Sequence, residues 1–128
     1  MNQEEMKQRT KLFALGIIQL VESLPKERTA EVLSRQLLRS GTSVGSNYRS
    51  ACRAKSMADF ISKMGIVEEE ADESLYWMEL LIEAGIEVSL QMKALMKEAG
   101  ELLAITVASI QTSRKSKNLN KGERRSNV

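Results

Sequence analysis

The chain has 128 residues, with 19 Lys and Arg against 17 Asp and Glu, no histidine, one cysteine, one proline and 4% aromatic residues. That length suits one domain around one core, and a composition led by Leu, Ile, Ala, Met, Glu and Lys favours helices over a sheet. Without histidine, the Glu-x-x-His ligand sets of helical di-iron sites and the usual base of a serine nucleophile are both missing, so no metal, cofactor or enzymatic reaction is expected.

The first helix is predicted over about Gln3 to Ser23. Met6, Phe13, Ile17, Leu20 and Leu24 form one stripe, widened by Val21. The apolar run from Leu12 to Val21 is too short to cross a bilayer. Glu4 and Glu5 precede it and no small-residue cleavage pattern follows, so it does not read as a secretory signal. Pro25 cannot continue the helix, and the chain turns there.

The second helix is predicted to start near Thr29 as N-cap, with Glu31 at the positive end of the helix dipole. It then runs into Ser40-Gly41-Thr42-Ser43-Val44-Gly45-Ser46-Asn47, which by composition alone is a loop. Periodicity overrides that reading. Leu33, Leu37, Gly41, Val44, Tyr48 and Ala51 keep helical spacing straight through it, and no proline interrupts. Each glycine costs about 1 kcal/mol relative to alanine inside a helix. Gly41 and Gly45 are therefore expected where a neighbouring helix approaches too closely for a side chain, with Ser40, Ser43 and Asn47 satisfying hydrogen bonds at that crossing. A phosphate-binding loop is not supported, because the Gly-Lys-Ser/Thr element is missing. Cys52, the lone cysteine, is read as a small packed residue; it cannot form an internal disulfide and fits a reducing, cytoplasmic setting.

The outer side of this helix carries Arg28, Arg35, Arg39, Arg49 and Arg53, all within an arc of roughly 80° at helical spacing, with Thr42 and Ser46 among them. Arginine is favoured where a planar fork grips carboxylates or phosphates, so the row is expected to meet something acidic.

Ser56 and Asp59 form a capping box that opens a third helix. Its predicted core stripe is Phe60, Met64, Val67, Ala71, Leu75, Met78 and Ile82, with Ile61 on one flank and Gly85 as the left-handed terminator. A second stripe, Ile66, Glu70, Glu73, Trp77, Leu80 and Ala84, is expected to form a subunit interface. Charge supports that: Arg28 to Lys55 holds six basic residues against one acid, and Met57 to Gly85 eight acids against one lysine. Within one bundle the arginine row is expected to miss these acids, so Glu70 and Glu73 should receive arginines from a neighbouring copy in a heterologous, ring-closing contact.

The fourth helix is predicted after Ser89, with Met92, Leu95, Ala99, Leu102, Thr106 and Ile110 as its stripe, and Met96, Leu103 and Val107 beside it. From Ser113 onward only Leu119 and Val128 are apolar, against six basic residues and one acid. Residues 1–112 are therefore expected to form the bundle, and 113–128 a basic, disordered tail. The fold class is all-α: an antiparallel up-down-up-down four-helix bundle.

Three segments together resemble a known family. They are Gln36 to Arg49, with its Gly-Thr-Ser-Val-Gly-Ser-Asn-Tyr centre, Asp59-Phe60-Ile61-Ser62-Lys63-Met64, and Glu69 to Leu81. They look like the four-helix bundle proteins encoded in intervening sequences of bacterial 23S ribosomal RNA genes, and the likeness runs from about Phe13 to Ser113. Many relatives carry a glutamate where Ser50 stands here, so any role of that acid is absent. The resemblance implies a homo-oligomeric, pentameric ring and no enzymatic reaction. A distant branch, the accessory variability proteins of diversity-generating retroelements, binds nucleic acid and a reverse transcriptase. The expected function is thus a non-enzymatic oligomeric module that recruits nucleic acid or a nucleic-acid enzyme. The alternative is a purely structural assembly whose arginines are consumed by subunit contacts.

Overall fold

The computed structural model describes residues 1–87 and 89–126, with side chains through Asn120. It is a four-helix bundle with no strand among the described residues: α1 Gln3–Ser23, α2 Arg28–Ala51, α3 Met57–Glu83 and α4 Leu90–Ser126. No described helix is long and apolar enough to cross a membrane.

Local chemistry sets most of the helix ends. Asn2 caps α1, its side-chain oxygen accepting from Glu5 N at 2.8 Å. Leu24, held extended ahead of Pro25, ends that helix. Ser56 Oγ accepts from Asp59 N at 3.0 Å, but the Asp59 carboxylate reaches back to Lys55 N, one residue beyond the usual capping-box partner. The end of α3 is a full Schellman turn. Ile86 N donates to Leu81 O, Gly85 N donates to Ile82 O, and Gly85 takes φ +73°, a left-handed value open to glycine at no steric cost. Ser89 caps α4 through Met92 N at 3.1 Å. The start of α2 differs from expectation: Glu27, not Thr29, is the cap, without a side-chain hydrogen bond.

The core draws on all four helices, with Ile17, Leu20, Leu37, Val44, Met64, Met78, Leu81, Met92 and Leu102 fully buried. One predicted stripe is rotated. On α3 the buried positions are Met64, Val67, Ala71, Ser74, Met78 and Leu81, while Phe60, Leu75 and Ile82 are only half-buried. The steps alternate three and four, the 3.5-residue period that keeps one seam against neighbouring helices. Apolar content points to Leu75 and Ile82; the seam selects Ser74 and Leu81. Ser74 tolerates burial because its hydroxyl lies 3.0 Å from Ser40 Oγ on α2 and 2.9 Å from Glu70 O, while Ser40 Oγ also reaches Leu37 O.

The helix at the C-terminal end passes the expected boundary at residue 112. Ser113 is buried, and Arg114, Lys117 and Asn118 flank a small cleft with Ala58 and Ile61 of α3. No proline intervenes, and lengthening an existing helix needs no new nucleus.

Candidate functional site

The inner face of α2 explains its glycines. A Cβ on Gly41 would lie 2.9 Å from both Cγ1 and Cγ2 of Ile17, and one on Gly45 would lie 3.1 Å from Thr10 Oγ1. Both glycines therefore admit α1. Ser43 and Asn47, expected at the same crossing, are half-buried and serve their own helix: Ser43 Oγ donates to Arg39 O at 2.6 Å and Asn47 Nδ2 to Ser43 O at 2.8 Å. The cross-helix polar contact belongs to Ser40 and Ser74 instead. Tyr48 is buried beside Cys52, and burial pushes its phenol well above the ordinary range. Cys52 is half-buried and free.

On the outer face, Arg28, Arg35, Arg39, Arg49 and Arg53 are all exposed. Contrary to expectation, one of them reaches the acids of α3 inside the same chain. Arg39 Nη2 donates to Glu73 Oε1 at 2.5 Å, and its Nη1 lies 3.4 Å from Glu70 Oε1. The seam rotation that buries Ser74 turns Glu70 and Glu73 toward α2. Arg28, Arg35, Arg49 and Arg53 make no ion pair among the described residues.

Glu73 also accepts from Trp77 Nε1 at 3.1 Å, and Trp77 meets Tyr76 edge-on with ring centroids 5.1 Å apart. Trp77 and Leu80 are half-buried, Trp77 against the core; Ile66 at 40% and Tyr76 at 53% stay exposed. The Arg39 hydrogen bond, seconded by Trp77, holds the Glu73 carboxyl below its usual value against the opposing effect of burial. Because the folded value is depressed, the stabilisation is fully present above the ordinary glutamate pKa of about 4.3. It is lost as pH falls through the lowered folded value. Arg39→Gln should return the Glu73 titration toward the ordinary range and lower the urea midpoint at neutral pH, while in acid, where the wild type has lost the same stabilisation, the two midpoints should converge. Carboxyl-carbon NMR and Trp77 emission across the acid range check this. An unchanged Glu73 titration would show that the ion pair does not form in solution.

Two features escaped sequence reasoning. Arg9 grips Glu98 with Nε at 2.8 Å and Nη2 at 2.6 Å, tying α1 to α4 across a separation of 89 residues that no local pattern reveals. Leu12, Leu15 and Ile18 stand exposed on α1, outside the stripe of that helix; their spacing of three was visible in the chain. A groove of about 420 Å³ also opens between α1 and α2, bordered by Lys7, Lys11, Thr42, Ser46 and Arg49. Among the described residues, no three His, Cys, Asp or Glu side chains gather where they could hold a metal ion.

Comparison with known proteins agrees with this architecture. The family model described as 23S rRNA-intervening sequence protein matches residues 2–108. A crystal structure of a protein with unknown function from the S23 ribosomal protein family of Bacteroides thetaiotaomicron is 37% identical, with a TM-score of 0.79 over 87% of this chain and 99% of that one. No curated protein matches the sequence.

Proposed function

This chain belongs to the 23S rRNA-intervening sequence protein family, and from that premise we propose that it is a non-enzymatic, self-assembling scaffold that carries nucleic acid on a basic helical face. The bundle runs up-down-up-down, as short turns between long helices favour. Five copies close a ring, as the family resemblance implies, and the lone Cys52 suits a reducing, cytoplasmic setting for it. One observation carries the choice of partner. Arg28, Arg35, Arg49 and Arg53 are exposed and meet no carboxylate among the described residues, whereas Arg39 beside them meets two. Unspent guanidiniums in a row suit phosphates, and their contribution must weaken as salt rises. A titration of generic RNA and duplex DNA binding against salt tests this. Tight binding at low salt that falls linearly on logarithmic axes supports it; weak or salt-independent binding overturns it.

Assembly has its own support. Leu12, Leu15 and Ile18 on α1 and Ile66 and Tyr76 on α3 leave two apolar faces exposed, and beside the second Glu69 and Asp72 make no ion pair among the described residues. A heterologous contact between unlike faces closes a ring when the rotation from copy to copy completes a circle. Native mass should be five times the 14.3 kDa of one chain, and Leu15→Lys with Tyr76→Lys should return it to the monomer. A monomeric wild type would remove the ring. The purely structural reading is favoured by Glu69 and Asp72, which the free arginines of a neighbour would meet. In that case charge reversal at both acids dissociates the oligomer, and the wild type ignores nucleic acid.

A further inference from the structure

Most of the residues that line the groove between α1 and α2 are polar. Lys7, Gln8 and Lys11 stand on the α1 side and Thr42, Ser46 and Arg49 on the α2 side. Gly45 and Thr10 both line it, and a Cβ on the glycine would lie 3.1 Å from Thr10 Oγ1. The three hydroxyls are already committed: Thr10 Oγ1 donates to Met6 O at 3.0 Å, Thr42 Oγ1 to Leu38 O at 2.7 Å and Ser46 Oγ to Ser43 O at 3.2 Å. The donors left over are the two ammonium groups, the guanidinium and the Gln8 amide. Lys11 and Arg49 have no ion-pair partner among the described residues, and Lys7 is held only by Glu4, at 3.2 Å, which stands at the groove with its own side chain 84% exposed.

We propose that this groove seats the phosphodiester backbone of a nucleic-acid strand, held by Lys7, Lys11 and Arg49, with Glu4 acting as a built-in competitor for Lys7. The proposal rests on the nucleic-acid reading above and names its site. Lys7 and Lys11 are one helical turn apart, about 6 Å along the axis at 1.5 Å per residue, with Arg49 on the opposite wall. Cations spaced along a wall in this way serve successive phosphates of one strand better than a single small anion. The lining contains no aromatic side chain, so no base stacks there and the contact reads backbone rather than sequence. An acidic protein helix is the competing occupant. Such a partner binds through large apolar or aromatic anchors in pockets, and Ala14 is the largest apolar side chain on these walls.

Anisotropy of a fluorescein-labelled, mixed-sequence RNA oligonucleotide with the full chain, over a range of salt, tests the site. Each phosphate contact to a single strand contributes about 0.7 to the slope of log K against log salt. Lys11→Gln with Arg49→Gln should therefore weaken binding at least roughly tenfold at low salt and flatten the slope by about 1.4. Glu4→Gln should tighten binding several-fold, because it releases Lys7; a merely structural glutamate would not. Lys93→Gln with Lys97→Gln on α4 should change little, and circular dichroism should show every variant folded. If the wild type binds RNA and the Lys11/Arg49 variant binds it equally well, the groove is wrong while the nucleic-acid reading stands. If the wild type binds neither RNA nor DNA at low salt, both fail. If the variant instead alters the native mass, the occupant is another copy of the chain and the proposal is overturned.

Discussion

Gly41→Ala is expected to destabilise the bundle even though alanine is the better helix former. The substitution gains about 1 kcal/mol of helix propensity. It also drives a methyl to 2.9 Å from both γ carbons of Ile17, a fully buried side chain branched at Cβ. Neither branch can swing clear, since rotating one away brings the other in, so α1 must back off from α2. Overpacking of this kind costs about 1–3 kcal/mol, and Gly41→Val, with two further methyl groups, lies at or beyond the upper end. Gly100→Ala on α4 is the internal comparison. Among the described residues, nothing beyond its chain neighbours and its own helix backbone lies within 4 Å of its Cβ position, so the propensity gain of up to about 1 kcal/mol should appear as added stability. Urea denaturation of the three variants decides the matter. Ile17→Ala in the Gly41→Ala background should cost less than the sum of the single changes, because the methyl then has room. Gly41→Ala at or above wild-type stability would show that the helices do not meet there.

Leu81→Ala should cost about 2–5 kcal/mol, the range for emptying a fully buried leucine site. Ile82→Ala, one residue on, should cost roughly half as much or less, since Ile82 is half-buried and solvent fills part of the space. The pair discriminates between two registers of α3. Apolar content favours Leu75 and Ile82 on the core face, whereas the packed helix presents Ser74 and Leu81. Reversal of the two losses would restore the register expected from apolar content and undo the placement of Glu70 and Glu73 beside Arg39. The denaturation midpoint, read through Trp77, is sufficient because Trp77 sits on the same helix and packs on the core.

The legibility of this chain follows the range of the forces involved. Helix extents were readable to within a residue or two at most ends because caps and terminators are local: Asn2 was overlooked, but Ser56, Gly85, Ser89 and Pro25 act on their immediate neighbours. Gly41 and Gly45 were readable as points of close approach because a helix bears the cost of glycine only for a reason. The partners of those glycines, Ile17 and Thr10, were not. The outward position of the arginines was readable from period alone, while their consumption was not. Arg39 pairs with Glu70 and Glu73, whereas among the described residues Arg28, Arg35, Arg49 and Arg53 make no ion pair.

The sequence by itself determined four helices, a glycine-bearing α2 with one packed and one basic face, an acidic α3 and a family. Periodicity, capping and charge are written along the chain, and each acts over a turn or less. Only the tertiary structure decided which way α3 rotates, that Ser74 rather than Leu75 faces Ser40, that Arg9 clasps Glu98, and that Lys7, Lys11 and Arg49 border one groove. Those outcomes depend on how helices distant in sequence settle against one another. A rotation of a few tens of degrees, which hardly alters the apolar count on a face, is enough to change which charges meet.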